Sequence, residues 1–316
     1  MSSLRLSIRL FAFVSFCLYL STLPSGLGQE RFQVKFRVVA DMIVVPVTIN
    51  GAGPFDFLLD TGNTDTIIDR KLAEELRLSP AGTMILMTPQ GDAVTPRAHT
   101  DSLSMAGASV RGLNLCVVND YADIRPKVRG SLGEDFLRYF DLLIDNQGHL
   151  IQFELGPGPL ADMLTGGHMP LSLDGFNEEK LTRLVVIGNI FGNKDMKLQL
   201  DSGTPSIVLF TTLNTSPLIS SGSHSHSLGG ILGGGSLVDP QTARFLRLGD
   251  KVFYDLTVFV PRGKIPPMDI DGLLPTSLFR SIFISHSGRF VILDPSTKKP
   301  DTGIAVVQSM RRQPQE

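Results

Sequence analysis

The stretch FDFLLDTGNTDTII, residues Phe55–Ile68, carries the strongest structural signal in the chain. Its first five residues follow the period-2 pattern of a strand with one face turned to a hydrophobic core. The strand ends at Asp60, and a carboxylate at the mouth of an apolar strand is costly to desolvate unless neighbouring groups hold it. Thr61 supplies a hydroxyl, and Gly62 lets the backbone turn tightly and bring its N–H groups close. The pattern therefore predicts a specific role for Asp60.

The same pattern recurs 141 residues later. The strand-like run Met196–Leu200 leads into Asp201, Ser202 and Gly203. Further landmarks recur in the same order at offsets of 141 or 142 residues: Gly51 with Gly192, Gly107 and Val110 with Gly249 and Val252, and Gly130–Gly133 with Gly272–Pro275. Landmarks in one order with nearly fixed spacing indicate two homologous halves.

A third Asp-Thr-Gly triplet stands at Asp301–Gly303, near the end of the chain. It follows Lys298–Pro300 and has no apolar strand leading into it. We therefore assign this triplet to the tail.

The two strand–triplet units resemble those of bacterial aspartic proteases of the retropepsin-like and pepsin-like class, with both half-sites on one polypeptide. In that family each lobe supplies one aspartate, and an apolar-apolar-Gly segment packs behind it. Here Gly130–Gly133 and Asp271–Pro275 fit that place. The resemblance covers nearly all of residues 33–295. It implies an all-β fold with a few short helices and two pseudo-symmetric, β-barrel-like lobes.

The resemblance also implies a reaction, the hydrolysis of peptide bonds by a water activated between two carboxyls, Asp60 and Asp201. The hydroxyls of the supporting residues would brace the two loops against each other. Those supporting residues would be Thr61, Gly62, Ser202 and Gly203. The chemistry needs no metal or organic cofactor. An extended peptide or protein would be the substrate, and one chain carrying both half-sites would act as a monomer.

A mobile flap over the site is the expected substrate-binding element. Gly82–Thr100 would hold the first lobe's flap hairpin, but it contains no aromatic residue, so the tyrosine contact of pepsin-like enzymes cannot be carried over. Ser220–Gly235 is the most glycine-rich stretch, and its tip resembles a retropepsin flap. The candidate flap residues are Gly229, Gly230, Gly233 and Gly234. A floppy surface loop is the alternative interpretation. His224 and His226 have no carboxylate or thiol cluster beside them, and we predict no metal site.

A rival interpretation is a catalytically inactive retropepsin-like module that binds peptides in the cell envelope. It is favoured by the missing flap aromatic and by Pro275, which stands where Gly133 stands in the first half. Proline fixes φ and removes an N–H. Retention of both aspartates and of both following hydroxyl residues favours the active protease. A serine or cysteine hydrolase would need a recognisable motif, and none is found.

The composition and the N-terminal segment limit the class of protein, its partners and its expected location. A chain that is 42% hydrophobic and 19% charged is neither disordered nor membrane-embedded. Its net charge of −2 gives no reason to expect nucleic acid as a partner. Arg5 and Arg9 precede the apolar run Leu10–Leu23, which predicts a signal peptide and export to the periplasm or the medium. An uncleaved anchor is the alternative, and no integral membrane span is expected once the signal is removed.

These observations predict five segments. They are a signal peptide at 1–28, an N-terminal lobe at 29–154, a linker at 155–167, a C-terminal lobe at 168–295 and a tail at 296–316. Removal of the signal would leave Cys116 as the single cysteine, so no intramolecular disulfide is expected and the residue is predicted to be a small buried hydrophobe.

Overall fold

The computed structural model describes residues 30–88, 91–119, 121, 128–175, 182–190, 195–210, 218–220, 226–229, 235–262 and 269–297. Nearly all of the regular structure in these ranges is β-strand, and the predicted all-β class is confirmed. The signal-peptide prediction, at residues 1–28, lies outside the described residues, as does the tail beyond Thr297. Within the described ranges, no helix is both long and apolar enough to cross a membrane.

The first half of the chain contributes eleven described strands and two short helices. In order these are β1 (Arg31–Lys35), β2 (Arg37–Val39), β3 (Met42–Ile49), β4 (Ala52–Leu59), β5 (Ile67–Asp69), α1 (Arg70–Glu75), β6 (Ser79–Thr88), β7 (Gly91–Met105), β8 (Ala108–Val118), β9 (Gly130–Leu132), α2 (Glu134–Leu137), β10 (Phe140–Asp145) and β11 (Leu150–Leu155).

The second half contributes the remaining described strands and two 3-10 turns. In order these are a 3-10 turn (Ala161–Met163), β12 (Leu164–Thr165), β13 (His168–Pro170), β14 (Ser172–Gly175), β15 (Thr182–Asn189), β16 (Asp195–Asp201), β17 (Ile207–Leu209), β18 (Leu218–Ser220), β19 (His226–Gly229), β20 (Gly235–Leu248), β21 (Lys251–Pro261), β22 (Gly272–Pro275), a 3-10 turn (Thr276–Leu278), β23 (Ser281–Ser285), β24 (Phe290–Leu293) and β25 (Ser296–Thr297).

Two large sheets share one pairing pattern. The first has the order β2-β3-β4-β9-β5-β8-β7-β6, and the second has the order β14-β15-β16-β22-β17-β21-β20-β18, with β19 also paired to β20. In each sheet the strand that leads into the aspartate runs parallel to the later glycine-containing strand, as β4 with β9 and β16 with β22. In each, the next short strand lies antiparallel to that glycine-containing strand, as β5 with β9 and β17 with β22.

The first residue of β9 and of β22 has to be glycine. A Cβ on Gly130 would lie 2.2 Å from the carbonyl oxygen of Ile67, and one on Gly272 would lie 2.3 Å from that of Val208. Backbone oxygens cannot move away without breaking the sheet, so any side chain here would disrupt the crossing of the strands. The glycine match at offset 142 therefore reflects one steric requirement met twice.

A third sheet joins the two halves. Its order is β1-β11-β10-β23-β24-β13, with the central pair β10 and β23 coming from opposite halves. Leu142 of β10 lies opposite Ile284 of β23, and both side chains are fully buried. The main hydrophobic cluster includes residues from both halves and from this sheet, so the halves share one core. A second cluster, which includes Met42, Leu58 and Cys116, lies under the β6–β7 hairpin.

Several predicted element boundaries differ from the observed ones. The sequence predicts a short helix at Arg70–Leu78 with Asp69 as its cap. Asp69 does cap α1, since its side chain accepts hydrogen bonds from two backbone N–H groups of the first turn. The helix ends at Glu75 rather than Leu78, because Arg77 has φ +52°, which a right-handed helix cannot contain. The region predicted as linker contains β12, which pairs with β25, at the start of the predicted tail.

Cys116 is buried, as predicted, and no other cysteine occurs among the described residues. Its thiol lies 3.2 Å from the hydroxyl of Thr95. Burial raises the pKa of the thiol to about 11, so the sulfur is protonated at neutral pH and chemically inert.

A buried ion pair lies where the halves meet. Nε2 of His286, in the β23–β24 turn, lies 2.9 Å from Oε2 of Glu134 in α2, and both side chains are almost fully buried. Nδ1 of His286 lies 2.6 Å from the carbonyl oxygen of Phe140. Burial alone would lower the pKa of His286, but the charge and hydrogen bond of Glu134, with the Phe140 carbonyl and Asp141, raise it above its usual value.

This pair predicts a pH-dependent contribution to stability. A histidine whose folded pKa exceeds its unfolded value stabilises the fold fully below the unfolded pKa, and the contribution is lost as pH rises through the folded pKa. Glu134→Gln should therefore destabilise the protein by about 3 kcal/mol at pH 5.5, and the difference from wild type should narrow by pH 9.

Melting curves of both proteins at the two pH values measure this effect. Asp239→Asn, which breaks the exposed pair with Arg262, is the matched control and should change the melting temperature little at either pH. A Glu134→Gln difference that stays constant across the pH range would contradict the prediction.

Candidate active site

The structure brings the two predicted aspartates together. Asp60 follows β4 and Asp201 ends β16, and both are largely buried, at 6% and 8% exposed. A Cβ on Gly62 would lie 2.4 Å from Cγ of Asp201, and a Cβ on Gly203 would lie 2.6 Å from Cγ of Asp60. Each carboxyl thus packs directly on the glycine of the opposite triplet. Any larger residue at either glycine would displace a carboxyl.

The two hydroxyl residues hold the triplets together through four buried hydrogen bonds. The Thr61 N–H donates to Oγ of Ser202 at 3.1 Å, and the Ser202 N–H donates to Oγ1 of Thr61 at 3.1 Å. The Thr61 hydroxyl donates in turn to the Leu200 carbonyl at 3.0 Å, and the Ser202 hydroxyl to the Leu59 carbonyl at 2.7 Å. Each hydroxyl therefore accepts from and donates to the opposite half of the chain. Neither turn is complete by itself.

Within each turn, a backbone N–H meets the carboxyl. The Gly62 N–H donates to Oδ1 of Asp60 at 3.2 Å, and the Gly203 N–H donates to Oδ1 of Asp201 at 2.7 Å. N–H groups aimed at a carboxylate favour its charged form and offset part of its desolvation. The tight turn at glycine makes this approach possible, as the sequence predicted.

Two carboxamides contact the first turn, and the sequence reasoning missed both. Nδ2 of Asn63 donates to Oδ2 of Asp60 at 2.6 Å and also lies 3.0 Å from Oγ of Ser131. Nε2 of Gln199 donates to the carbonyl oxygen of Gly62 at 2.8 Å, across the junction between the halves. Comparison of the halves at offset 141 marks both positions as places where the halves differ, since Thr204 matches Asn63 and Leu58 matches Gln199, but it does not give their contacts.

Behind the first turn lies a buried acid that was also missed. The Thr66 hydroxyl donates to Oδ1 of Asp135 at 2.5 Å and accepts from the Gly133 N–H at 3.0 Å. Burial raises the pKa of Asp135 to about 6, although the hydrogen bonds from Thr66 oppose the shift. This carboxyl lies in α2, behind the site and not in it.

The same contacts explain how the second half accommodates Pro275. Pro275 lies opposite Asp201 in the sheet and cannot donate the hydrogen bond that Gly133 gives to Thr66. The residue at the Thr66 position of the second half is Ile207, which has no hydroxyl to accept that bond. Donor and acceptor are therefore both replaced. The packing of the carboxyls on the opposite glycines is retained.

The structure describes only part of the two predicted flaps. The first hairpin, β6–β7, packs Met84 and Leu86 against the second cluster and exposes Ile85 and Val94 on its other face. In the second half, Gly229 ends β19 and lies opposite Gly235, the first residue of β20. The other flap candidates, Gly230, Gly233 and Gly234, lie outside the described residues, as does His224. Within the described ranges no three His, Cys, Asp or Glu residues form a group that could hold a metal ion.

Comparison with known families agrees with this geometry. A family model described as aspartyl protease matches residues 45–136. The match includes Asp60–Gly62 and Gly130–Gly133, and it ends within α2, which lies behind the first turn. This part of the chain is therefore similar to aspartyl proteases. A comparison with curated proteins finds no match.

The reciprocal hydrogen bonds of Thr61 and Ser202 predict that substitutions at the two residues lower stability in a coupled way. Thr61→Val or Ser202→Ala should each destabilise the protein by about 1–3 kcal/mol, because each leaves a buried N–H and a buried carbonyl without their partner. The double variant should lose less than the sum of the two, since both changes remove bonds of one network. Denaturant unfolding of the four proteins gives the coupling energy.

Variants that keep both hydroxyls are the matched controls for this cycle. Thr61→Ser and Ser202→Thr should stay close to wild type. Strict additivity of Thr61→Val and Ser202→Ala would show that the network does not act as a unit.

The raised pKa of Asp135 predicts that replacing this carboxyl with a neutral amide stabilises the protein. Its folded pKa is raised, so wild-type stability falls as pH rises from the unfolded value near 4 through the folded value near 6. Asp135→Asn removes that cost and should raise stability above pH 7 by up to about 3 kcal/mol, with the gain disappearing near pH 4. Melting curves at pH 4 and pH 7.5 check this. Asp101→Asn, at an exposed position, should show no such pH-dependent gain.

Proposed function

We propose that this protein is an aspartic endopeptidase, with Asp60 and Asp201 as its catalytic pair. The observation that carries the proposal is the packing of each carboxyl on the glycine of the opposite triplet. Two buried carboxyls that each pack on the other's turn are neighbours. Neighbouring carboxyls cannot both ionise easily, so we propose that they share one proton. The similarity of residues 45–136 to aspartyl proteases supports the same conclusion.

The proposed reaction uses the two carboxyls in complementary roles. The ionised carboxylate takes a proton from a water molecule as the water oxygen attacks the carbonyl carbon of the peptide bond. The protonated carboxyl donates a hydrogen bond, and then its proton, to the carbonyl oxygen. When the tetrahedral intermediate collapses, one of its two hydroxyls returns a proton to the pair, the C–N bond breaks, and the leaving nitrogen takes up the proton that the pair took from the water. The products are a carboxylic acid and an amine.

The sheets around the pair support an extended peptide as the proposed substrate. An extended peptide can hydrogen-bond to strand backbones while its alternating side chains enter separate pockets. The β6–β7 hairpin, with Ile85 and Val94 largely exposed, offers apolar contact area for such a chain. Because one chain supplies both carboxyls, we propose a monomeric enzyme. The N-terminal segment would export it to the periplasm or the medium.

The rival function, a binding module without catalysis, needs the fold but not the carboxyls. Pro275 and the missing flap aromatic favour it. The replacement of Thr66 by Ile207 at the matching position weakens the first of these supports, because the second half has no hydroxyl that needs the lost N–H. The intact arrangement of both carboxyls, both glycines and both hydroxyls favours the protease.

Substitution of either aspartate tests the proposed function. Asp60→Asn and Asp201→Asn keep the side-chain shape but cannot share a proton, so each should lower kcat/KM for peptide cleavage by at least about a thousandfold. The assay is cleavage of a mixed peptide library by the purified chain between pH 3 and pH 8, followed by mass spectrometry.

Asp301→Asn is the matched control, because it changes the aspartate of the third triplet, which no apolar strand precedes in the sequence, and we expect it to cleave like wild type. Variants at Asp60 and Asp201 that fold and cleave as well as wild type would refute the protease. A wild-type chain that binds peptides and never cleaves them would establish the rival.

A further inference from the structure

The two halves of the site differ in a coordinated way. In the first half Leu58 lies opposite Ser131, and in the second half Gln199 lies opposite Leu273 at the same register. The polar and apolar partners have thus exchanged strands. On the turns, Asn63 of the first half is matched by Thr204. The polar side chains Asn63, Ser131 and Gln199 all contact each other or the first turn.

The side-chain NH₂ of Asn63 can only donate a hydrogen bond to the carboxyl of Asp60. An amide nitrogen donates hydrogen bonds and cannot accept one. Its contact of 2.6 Å with Oδ2 of Asp60 therefore requires that this oxygen carry no proton directed at it. The second contact, with Oγ of Ser131, fixes the amide in this orientation from a strand on the other side of the turn. Asp60 Oδ2 is held as an acceptor.

The corresponding group of the second half is engaged elsewhere. The hydroxyl of Thr204 donates to the carbonyl oxygen of Ser206 at 3.2 Å. The residue in the position of Ser131 is Leu273, which offers no polar atom to orient a side chain on the turn. Thr204 and Leu273 therefore do not reproduce the contact that Asn63 and Ser131 make on the first turn.

We propose that Asn63, oriented by Ser131, is a positioning residue that makes Asp60 the ionised member of the pair and leaves Asp201 to carry the proton. This inference rests on the proposed function and assigns its two roles. Asp60 then activates the water, and Asp201 donates to the carbonyl oxygen of the substrate. Gln199 supports the arrangement by holding the Gly62 carbonyl, next to the point where Gly62 contacts Asp201.

The other ionisable groups near the turn are unchanged by substitution of Asn63. Asp201 faces Asp60 from β16. Asp65, on the same loop, lies 3.4 Å from the guanidinium of Arg97 on β7. Asp135, on α2, is bound by Thr66 and lies behind the turn. A change in ionisation on removal of Asn63 is therefore attributable to the lost amide.

The pH profile of kcat/KM tests the inference, because its acid limb reports ionisation of the base in the free enzyme. Loss of a hydrogen bond to a charged group corresponds to a shift of about one pH unit. Asn63→Ala should therefore move the acid limb up by about one unit. Ser131→Ala should move it in the same direction by less. Thr204→Ala, the matched change in the second half, should leave the acid limb in place.

A second measurement does not depend on activity. Carbon-13 NMR of protein labelled at the aspartate carboxyl carbons follows each carboxyl with pH, and the Asp60 resonance is identified by its loss in Asp60→Asn. In wild type, Asp60 should ionise at lower pH than Asp201, and Asn63→Ala should reduce or remove the difference. Asn63→Thr, which reproduces the second half, serves if the alanine variant does not fold and should behave in the same way.

The outcomes separate this inference from the proposed function. An acid limb that does not move in an active Asn63→Ala enzyme, or an Asp60 that stays protonated to higher pH than Asp201, overturns the role of Asn63 and leaves the protease intact. A wild-type chain with the expected carboxyl titration and no peptide cleavage overturns the protease instead.

Discussion

The site depends on the reciprocal hydrogen bonds of Thr61 and Ser202. In each turn, the backbone N–H of the residue after the aspartate donates a hydrogen bond to the side-chain hydroxyl from the other half. A buried N–H without a partner costs free energy comparable to a lost hydrogen bond, so neither turn is stable in this conformation alone. The six-stranded sheet meets the requirement, because its central pair, β10 and β23, fixes the halves at the distance the hydroxyls need.

Glycine sets the remaining geometry by leaving space. Gly62 and Gly203 make room for the opposite carboxyls, and Gly130 and Gly272 make room for a backbone carbonyl. In all four cases the nearest atom belongs to a polar group that acts in the sheet or in the site. The chain therefore uses glycine less for flexibility here than for close approach.

Much of this arrangement could be predicted because it is encoded locally and then repeated. The alternation before Asp60 predicts a strand, and its recurrence before Asp201 predicts a second one in equivalent surroundings. The features that escaped prediction join residues distant in sequence. The bond from Asn63 to Ser131 and that from Gln199 to Gly62 depend on how the strands come together, and so does the burial of His286 beside Glu134. Residue types alone do not encode such contacts. The end of α1 was missed for a different reason, since nothing in the residue type of Arg77 indicates a positive φ.

The exchanged pairs, Leu58 with Ser131 and Gln199 with Leu273, bear on how a ligand is oriented. A peptide has a direction, and a site with perfect twofold symmetry presents the same surroundings to a chain running either way. Leu58, Ser131 and Gln199 are themselves buried, so they would act on a bound chain through the turns that they support, as Gln199 does through the carbonyl of Gly62. Under the proposed function, a reversed peptide would therefore meet a different site, and the two orientations would differ in energy.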